Sequence, residues 1–173
     1  MRIDSSGNIL FGCTSTSAPS FSFNPDSGGG KIVSIKDSTN SRTHYEFHNP
    51  NGTVGSITTS SSSTAFNTSS DYRLKENIVT DWDATTRLKQ LKPSRFNFKT
   101  DKDTTVDGFL AHEAQAVVPE SVTGTKNEVD EDGNAVMQGI DQSKLVPLLT
   151  KSLQEAIARI DTLEAEVKTL KGE

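Results

Sequence analysis

The sequence predicts an α+β chain in two parts. A small β-rich segment comes first, followed by short helices and hairpins that end in one long helix. Three observations carry this expectation. Residues 20–58 alternate apolar and polar side chains in runs separated by Gly, Pro and Asn, the pattern of half-buried strands. Val146, Leu149, Leu153, Ala156, Ile160, Leu163, Val167 and Leu170 recur at alternating spacings of three and four, which is an a/d heptad seam. Hydrophobic residues make up only 32% of the 173, so a single copy would bury little core. That deficit points to an elongated or oligomeric protein whose core lies between chains.

Taken in order, residues 1–12 read as a hairpin. Arg2-Ile3-Asp4 goes out, Ser5-Ser6-Gly7-Asn8 turns, and Ile9-Leu10-Phe11 returns. Met1 running straight into a strand is the pattern expected of a fragment or a short downstream product. Ser20 to Phe23, Lys31 to Lys36, Thr43 to His48 and, more weakly, Val54 to Thr58 follow as strands. Turns are expected at Asn24-Pro25-Asp26, Gly28-Gly29-Gly30 and Asn49-Pro50-Asn51-Gly52. Together they make an antiparallel module of four or five strands, with an apolar face thin enough to need other copies against it. Residues 58–70, TTSSSSTAFNTSS, are uncharged and of low complexity. They read as a flexible linker that would also present an extended, accessible backbone.

After residue 78 the character changes. A short helix is expected around Trp82 to Leu91, started by Asp81 or Asp83 and stopped at Lys92-Pro93. Arg95 to Lys99 reads as a strand, residues 100–107 as a polar loop, and Gly108 to Ala111 as an apolar strand. His112 to Val118 reads as a brief helix ended by Pro119. Residues 121–140 read as a hairpin, with Ser121 to Gly124 going out, a turn at residues 130–134, where Asp132-Gly133 is a strong turn signal, and Ala135 to Gln138 coming back. The final helix, with its coiled coil over 142–171, would span about 40 Å with Pro147 near its start. Such a seam needs partner helices. The alternative is an amphipathic helix packed on its own domain.

Composition excludes several functions. A net charge of −5 with interspersed signs argues against a nucleic-acid partner. No apolar run has the length of a membrane span, so no membrane insertion is expected. Cys13 is the single cysteine, which rules out an intrachain disulfide and reads as a small buried residue. His44, Glu46 and His48 share one strand face and could in principle ligate a metal. The preferred reading is a polar strand face with Tyr45 and Phe47 packed inward. The Asp130-Glu131-Asp132 cluster lacks the spacing of a calcium loop and reads as a solvated turn. No metal and no cofactor are expected.

The border between the two parts is SSDYRLKENI, residues 69–78. Two resemblances surround it. MRIDSSGNILFGCTSTSAP resembles a repeat found near the ends of bacteriophage tail fibres and tailspikes. SSDYRLKENI, LKQLKPSRFNFK, GFLAHEAQAVVPESV and IDQSKLVPLLTKSLQEAIARIDTLEAEV resemble, in order and spacing, the C-terminal intramolecular chaperone domain of those proteins. This is the peptidase S74 family, typified by the endosialidase tailspike, with eukaryotic myelin regulatory factors among its members. The likeness runs over residues 69–170. His112 stands where the family usually has Gln, and residues 122–139 are short for the projecting arm of some members.

The resemblance implies residues 1–69 as a distal fibre segment and 70–173 as a self-cleaving chaperone, intertwined as a homotrimer. The fibre part would belong to the virion tail fibre, and the chaperone part would be released in the host cytoplasm during assembly. It also implies Ser70 as nucleophile and Lys75 as general base. A serine hydroxyl needs a base, and a lysine serves as one only when burial or nearby positive charge favours its neutral form. Arg73 is the candidate for that charge. Asp71 and Asn77 are candidates either for supporting the pair or for capping a helix. Attack by the Ser70 hydroxyl on the Ser69 carbonyl would cut between 69 and 70, with 70–71 as the other candidate bond. On a straight helix Ser70 and Lys75 would lie about 140° apart, and on a flat strand they would face opposite ways. The backbone must therefore turn between them, or the pair must form between chains. Two other readings stand beside this one. The domain could be a non-cleaving trimerisation tag, or residues 20–66 could form a tip that binds a host-cell surface receptor.

Overall fold

The computed structural model describes residues 2–5, 9–11, 20–24 and 31–172. Cys13 and the turns expected at residues 6–8 and 25–30 lie outside them. The chain is α+β. Its contacts divide it into Met1–Ile78 and Val79–Glu173.

The first unit is all antiparallel. β1 (Arg2–Ile3), β2 (Ile9–Phe11), β3 (Ser20–Asn24) and β4 (Lys31–Ile35) form a four-stranded meander in sequence order. The polar residues 36–41 interrupt pairing. A second meander follows, with β5 (Arg42–Asn49), β6 (Gly52–Ser60) and β7 (Ser63–Thr68) in the order β5-β6-β7. Two sheets therefore stand where the sequence suggested one module. The β5–β6 turn has the expected chemistry. The Asn49 side chain accepts from the Asn51 amide at 2.9 Å, and Gly52 has φ +94°, a conformation open mainly to glycine.

The expected linker at residues 58–70 is instead the end of β6 and all of β7. Thr58, Thr59, Thr64 and Phe66 are good strand residues, and Ile57 pairs with Phe66 across the ladder. The turn escaped notice because it holds no Gly, Pro, Asn or Asp. Ser61 takes the left-handed conformation itself at φ +50°, and its amide donates to the Thr39 carbonyl at 2.7 Å.

The second unit gathers short elements around one end of the long helix. α1 (Ala84–Leu88) is capped by Asp83, whose carboxylate accepts from the Thr86 amide. β8 (Ser94–Phe98) pairs with β9 (Asp101–Gly108). The region read as a polar loop is thus a strand. It was missed because Val106 is the one apolar residue between 101 and 107, and its pairing is set by β8, with Arg95 and Asp107 joined at 2.7 Å. Of the apolar strand expected at residues 108–111 only Gly108 is in a strand, as the end of β9, and α2 (Ala111–Gln115) begins at Ala111. The hairpin after it closes further out than expected, with β10 (Val122–Thr123) paired to β11 (Gly139–Ile140). Its turn lies where expected, with Asp130 accepting from the amides of Asp132 and Asn134.

α3 (Val146–Lys171) runs for 26 residues and ends on Gly172 at φ +73°, a left-handed cap suited to glycine. Pro147 sits in its first turn, where no internal amide is needed. The core is Ala84, Leu91, Ala114, Val118, Val122, Leu145 and Leu148, with Trp82, Leu88 and Phe109 packed against it. On α3 the stripe turned to this core is Leu148, Ser152 and Glu155, and it is not the heptad seam. Seam residues remain open, Leu153 at 61% and Ile160 at 53% exposure.

Candidate active site

The border stretch follows β7 immediately. Asp71 has extended backbone, and its side chain accepts from the Arg73 amide at 2.9 Å. That bond starts a single turn of 3-10 helix, Tyr72–Leu74. The Leu74 amide donates to the Asp71 carbonyl and the Lys75 amide to the Tyr72 carbonyl, both at 3.1 Å. Lys75 then returns to extended backbone. Three residues per turn carry the chain through one full rotation, which brings the Lys75 side chain back beside Ser70. Lys75 Nζ donates to Ser70 Oγ at 2.7 Å. The pair forms within one chain, and the turn supplies what neither a straight helix nor a flat strand could.

Arg73 serves a different partner from the one expected. Its Nε donates to Asp71 Oδ1 at 2.9 Å and its Nη2 to Oδ2 at 2.8 Å, a two-pronged ion pair. The guanidinium holds the Asp71 carboxyl below the usual carboxylate range, and Asp71 raises Arg73 in return. Asp71 is thus the cap of the turn and the counterion of Arg73. Asn77 lies past the turn at φ +53°, a left-handed conformation that asparagine tolerates better than most residues. Glu76 is exposed.

Ser69 is fixed from the other side. Its amide donates to the Val54 carbonyl at 3.1 Å, and its hydroxyl donates to the Thr53 carbonyl at 2.8 Å. Nothing in the local sequence signals this pairing with β6, because it spans sixteen residues of chain. Residues 69–80 are all exposed in the single chain, Tyr72 at 77% and Leu74 at 71%.

The other candidates have ordinary partners. His44 shares hydrogen bonds with Ser34 Oγ at 2.9 Å and Thr59 Oγ1 at 2.8 Å. His48 meets Glu46 at 3.3 Å. Among the described residues no group of His, Cys, Asp and Glu is arranged to hold a metal ion, and no helix is long and apolar enough to cross a membrane.

The site thus brings a serine hydroxyl and a lysine side chain into hydrogen-bond contact on an exposed turn two residues after β7. Residues 70–123 match the family Peptidase S74, described as the chaperone of endosialidase. This part of the chain is therefore similar to the Peptidase S74 chaperone domain, and the match opens on Ser70 itself. Its span holds the second and third motifs that carried the resemblance and all but Ser69 of the first. α3 lies beyond it. No curated protein matches the chain.

Proposed function

We propose that this chain is the end of a phage tail fibre or tailspike. Its S74 domain brings three chains into register, supports folding of the fibre ahead of it, and then releases itself by autoproteolysis at Ser70. The observation that carries the reading is the 2.7 Å contact between Lys75 Nζ and Ser70 Oγ at the first residue of the family match.

The chemistry starts with Lys75 in its uncharged form, which takes the Ser70 hydroxyl proton. Ser70 Oγ then attacks the Ser69 carbonyl carbon. The C–N bond between the two residues breaks, and the proton held by Lys75 passes to the departing Ser70 nitrogen. The acyl group now rests on Ser70 Oγ as an ester, beside a free amino group. Water attacks the ester, restores the hydroxyl and leaves a carboxylate on Ser69. The new C-terminal piece begins at Ser70. Asp71 and Arg73 hold the turn that keeps the pair in contact, and Asn77 sets the chain direction beyond it.

Assembly supplies the control. Tyr72 and Leu74, in the turn between Ser70 and Lys75, are exposed in a single chain, and burial disfavours a charged ammonium. Enclosure of this corner by neighbouring chains would exclude water and favour the neutral amine, so the dyad becomes competent in the trimer. Cleavage then removes the registering domain and makes assembly irreversible, holding the fibre by kinetics.

A second reading has its own support. The open seam of α3 lies apart from Ser70 and Lys75 in the chain, so the domain can trimerise without cutting. Denaturing gels of freshly purified parent and Ser70→Ala, with light scattering on the native samples, separate the two. The first reading predicts two pieces from the parent and one intact, trimeric chain from the variant. One intact chain from both would support the uncut clamp.

A further inference from the structure

We infer that Ser69 is a positioning residue for the cut and that β6 is the anvil against which its carbonyl is held. Self-cleavage would therefore read out completion of the β5-β6-β7 sheet. This rests on the autoproteolytic reading above and adds to it a requirement on the fibre side of the bond.

Ser69 is gripped at two points by adjacent carbonyls of one strand. The Val54 carbonyl accepts its amide and the Thr53 carbonyl accepts its hydroxyl. With its nitrogen and side chain both held, Ser69 keeps one soft backbone dihedral ahead of the bond to be broken. On the other side of that bond, the capped turn holds Ser70 against Lys75. The two reacting atoms, Ser69 carbonyl carbon and Ser70 Oγ, are thus approached from two separately anchored segments. Restricting both is how an intramolecular reaction gains rate. The fibre-side anchor exists only when β7 has paired with β6, because Ser69 directly follows Thr68, which pairs with Gly55.

That ladder has a sensitive point. A side-chain carbon at Gly55 would lie 2.9 Å from the Asn67 carbonyl oxygen. Gly55→Ala must therefore push β7 off β6 two residues before Ser69, without touching the Ser70–Lys75 pair.

The test is the rate of appearance of the Ser70-started piece in the full chain, followed by intact mass. Parent, Ser69→Ala, Ser69→Thr and Gly55→Ala are compared, with Ser70→Ala as the uncut control. Hydroxylamine quenching reports the ester separately from the hydrolysed product, and light scattering confirms that each variant assembles. Loss of one exposed hydrogen bond predicts roughly threefold to tenfold slower ester formation in Ser69→Ala. Ser69→Thr should recover most of the rate, and Gly55→Ala should be slow despite normal assembly. Parent-like rates in Ser69→Ala and Gly55→Ala would overturn the anchor while leaving the Ser70–Lys75 reading intact. Equal slowing by Ala and Thr would overturn the role of the hydroxyl. A parent that is never cut would overturn the autoproteolytic reading, and the anchor with it.

Discussion

Between Ser70 and Lys75 the chain makes one turn, and Asp71 starts it. Its carboxylate caps the Arg73 amide and binds the Arg73 side chain. Asp71→Ala should loosen the turn and slow cleavage by roughly threefold to tenfold, whereas Asp71→Asn, still a good cap, should keep most of the rate. The pH dependence follows from the sign of the shift. Arg73 depresses the Asp71 carboxyl, so its contribution is complete above the ordinary carboxylate value and fades only as pH falls through the lowered one. The rate ratio of Asp71→Asn to parent should therefore stay flat from about pH 5 to pH 8. A ratio that changes steeply in that range would count against this role for Asp71. The turn was half legible in the sequence. The need for one followed from the spacing of Ser70 and Lys75, and an Asp ahead of a helical start is a known cap signal. The pairing of Arg73 with Asp71 was not legible, because it depends on the fold of the turn that brings the two side chains together. The grip of Thr53 and Val54 on Ser69 depends on a register that no local pattern encodes.

Among the elements, α1 and α3 are joined by a contact that sequence reasoning missed. Glu155 of α3 accepts from the Ala84 amide at 3.0 Å and the Thr85 amide at 2.8 Å, and from the Thr85 hydroxyl. A helix start leaves such amides unsatisfied, and here the second helix supplies the acceptor alongside Asp83. The Thr85 hydroxyl and the two amides hold the Glu155 carboxyl below its ordinary value, against burial and the like charge of Asp83. The docking it supports is present above the ordinary glutamate value and is lost as pH falls through the lowered one. Trp82, the sole tryptophan, sits at this joint. Its fluorescence should report an acid transition that moves to higher pH, or is absent because docking is already weakened, in Glu155→Gln. An unchanged transition would contradict the assignment. Leu148, 3% exposed beside the same joint, should cost about 2–4 kcal/mol on truncation to Ala, measured by urea unfolding of the parent and variant. Long, periodic α3 was plain from its heptads. β7 and β9 were not, since both are polar, largely exposed strands whose pairing is set by their partners rather than by their own composition.

For the whole molecule, the arrangement of α3 carries the argument for assembly. Its core-facing stripe is Leu148, Ser152 and Glu155, while the heptad seam from Val146 to Leu170 is left open along its length. A helix that docks on its own chain by one face and leaves a separate apolar seam uncovered retains a surface for neighbours. Leu153→Asp with Ile160→Asp should leave the second unit folded and the chain monomeric by light scattering. Under the assembly-gated reading that monomer should be uncut, and a monomer cut at the parent rate would contradict the gate. The low hydrophobic content points the same way. The number of chains comes only from the family likeness, since Ile and Val at a with Leu at d also suits dimers.

Under the proposed function, Ser70 and Lys75 together break the chain ahead of Ser70. The most direct test is the intact mass of freshly expressed protein beside Ser70→Ala and Lys75→Ala, all denatured before analysis. The account predicts a parent split into two pieces, the second beginning at Ser70, and a single full-length chain from each variant. A parent that remains whole, or a Lys75→Ala chain cut as fast as the parent, would contradict it.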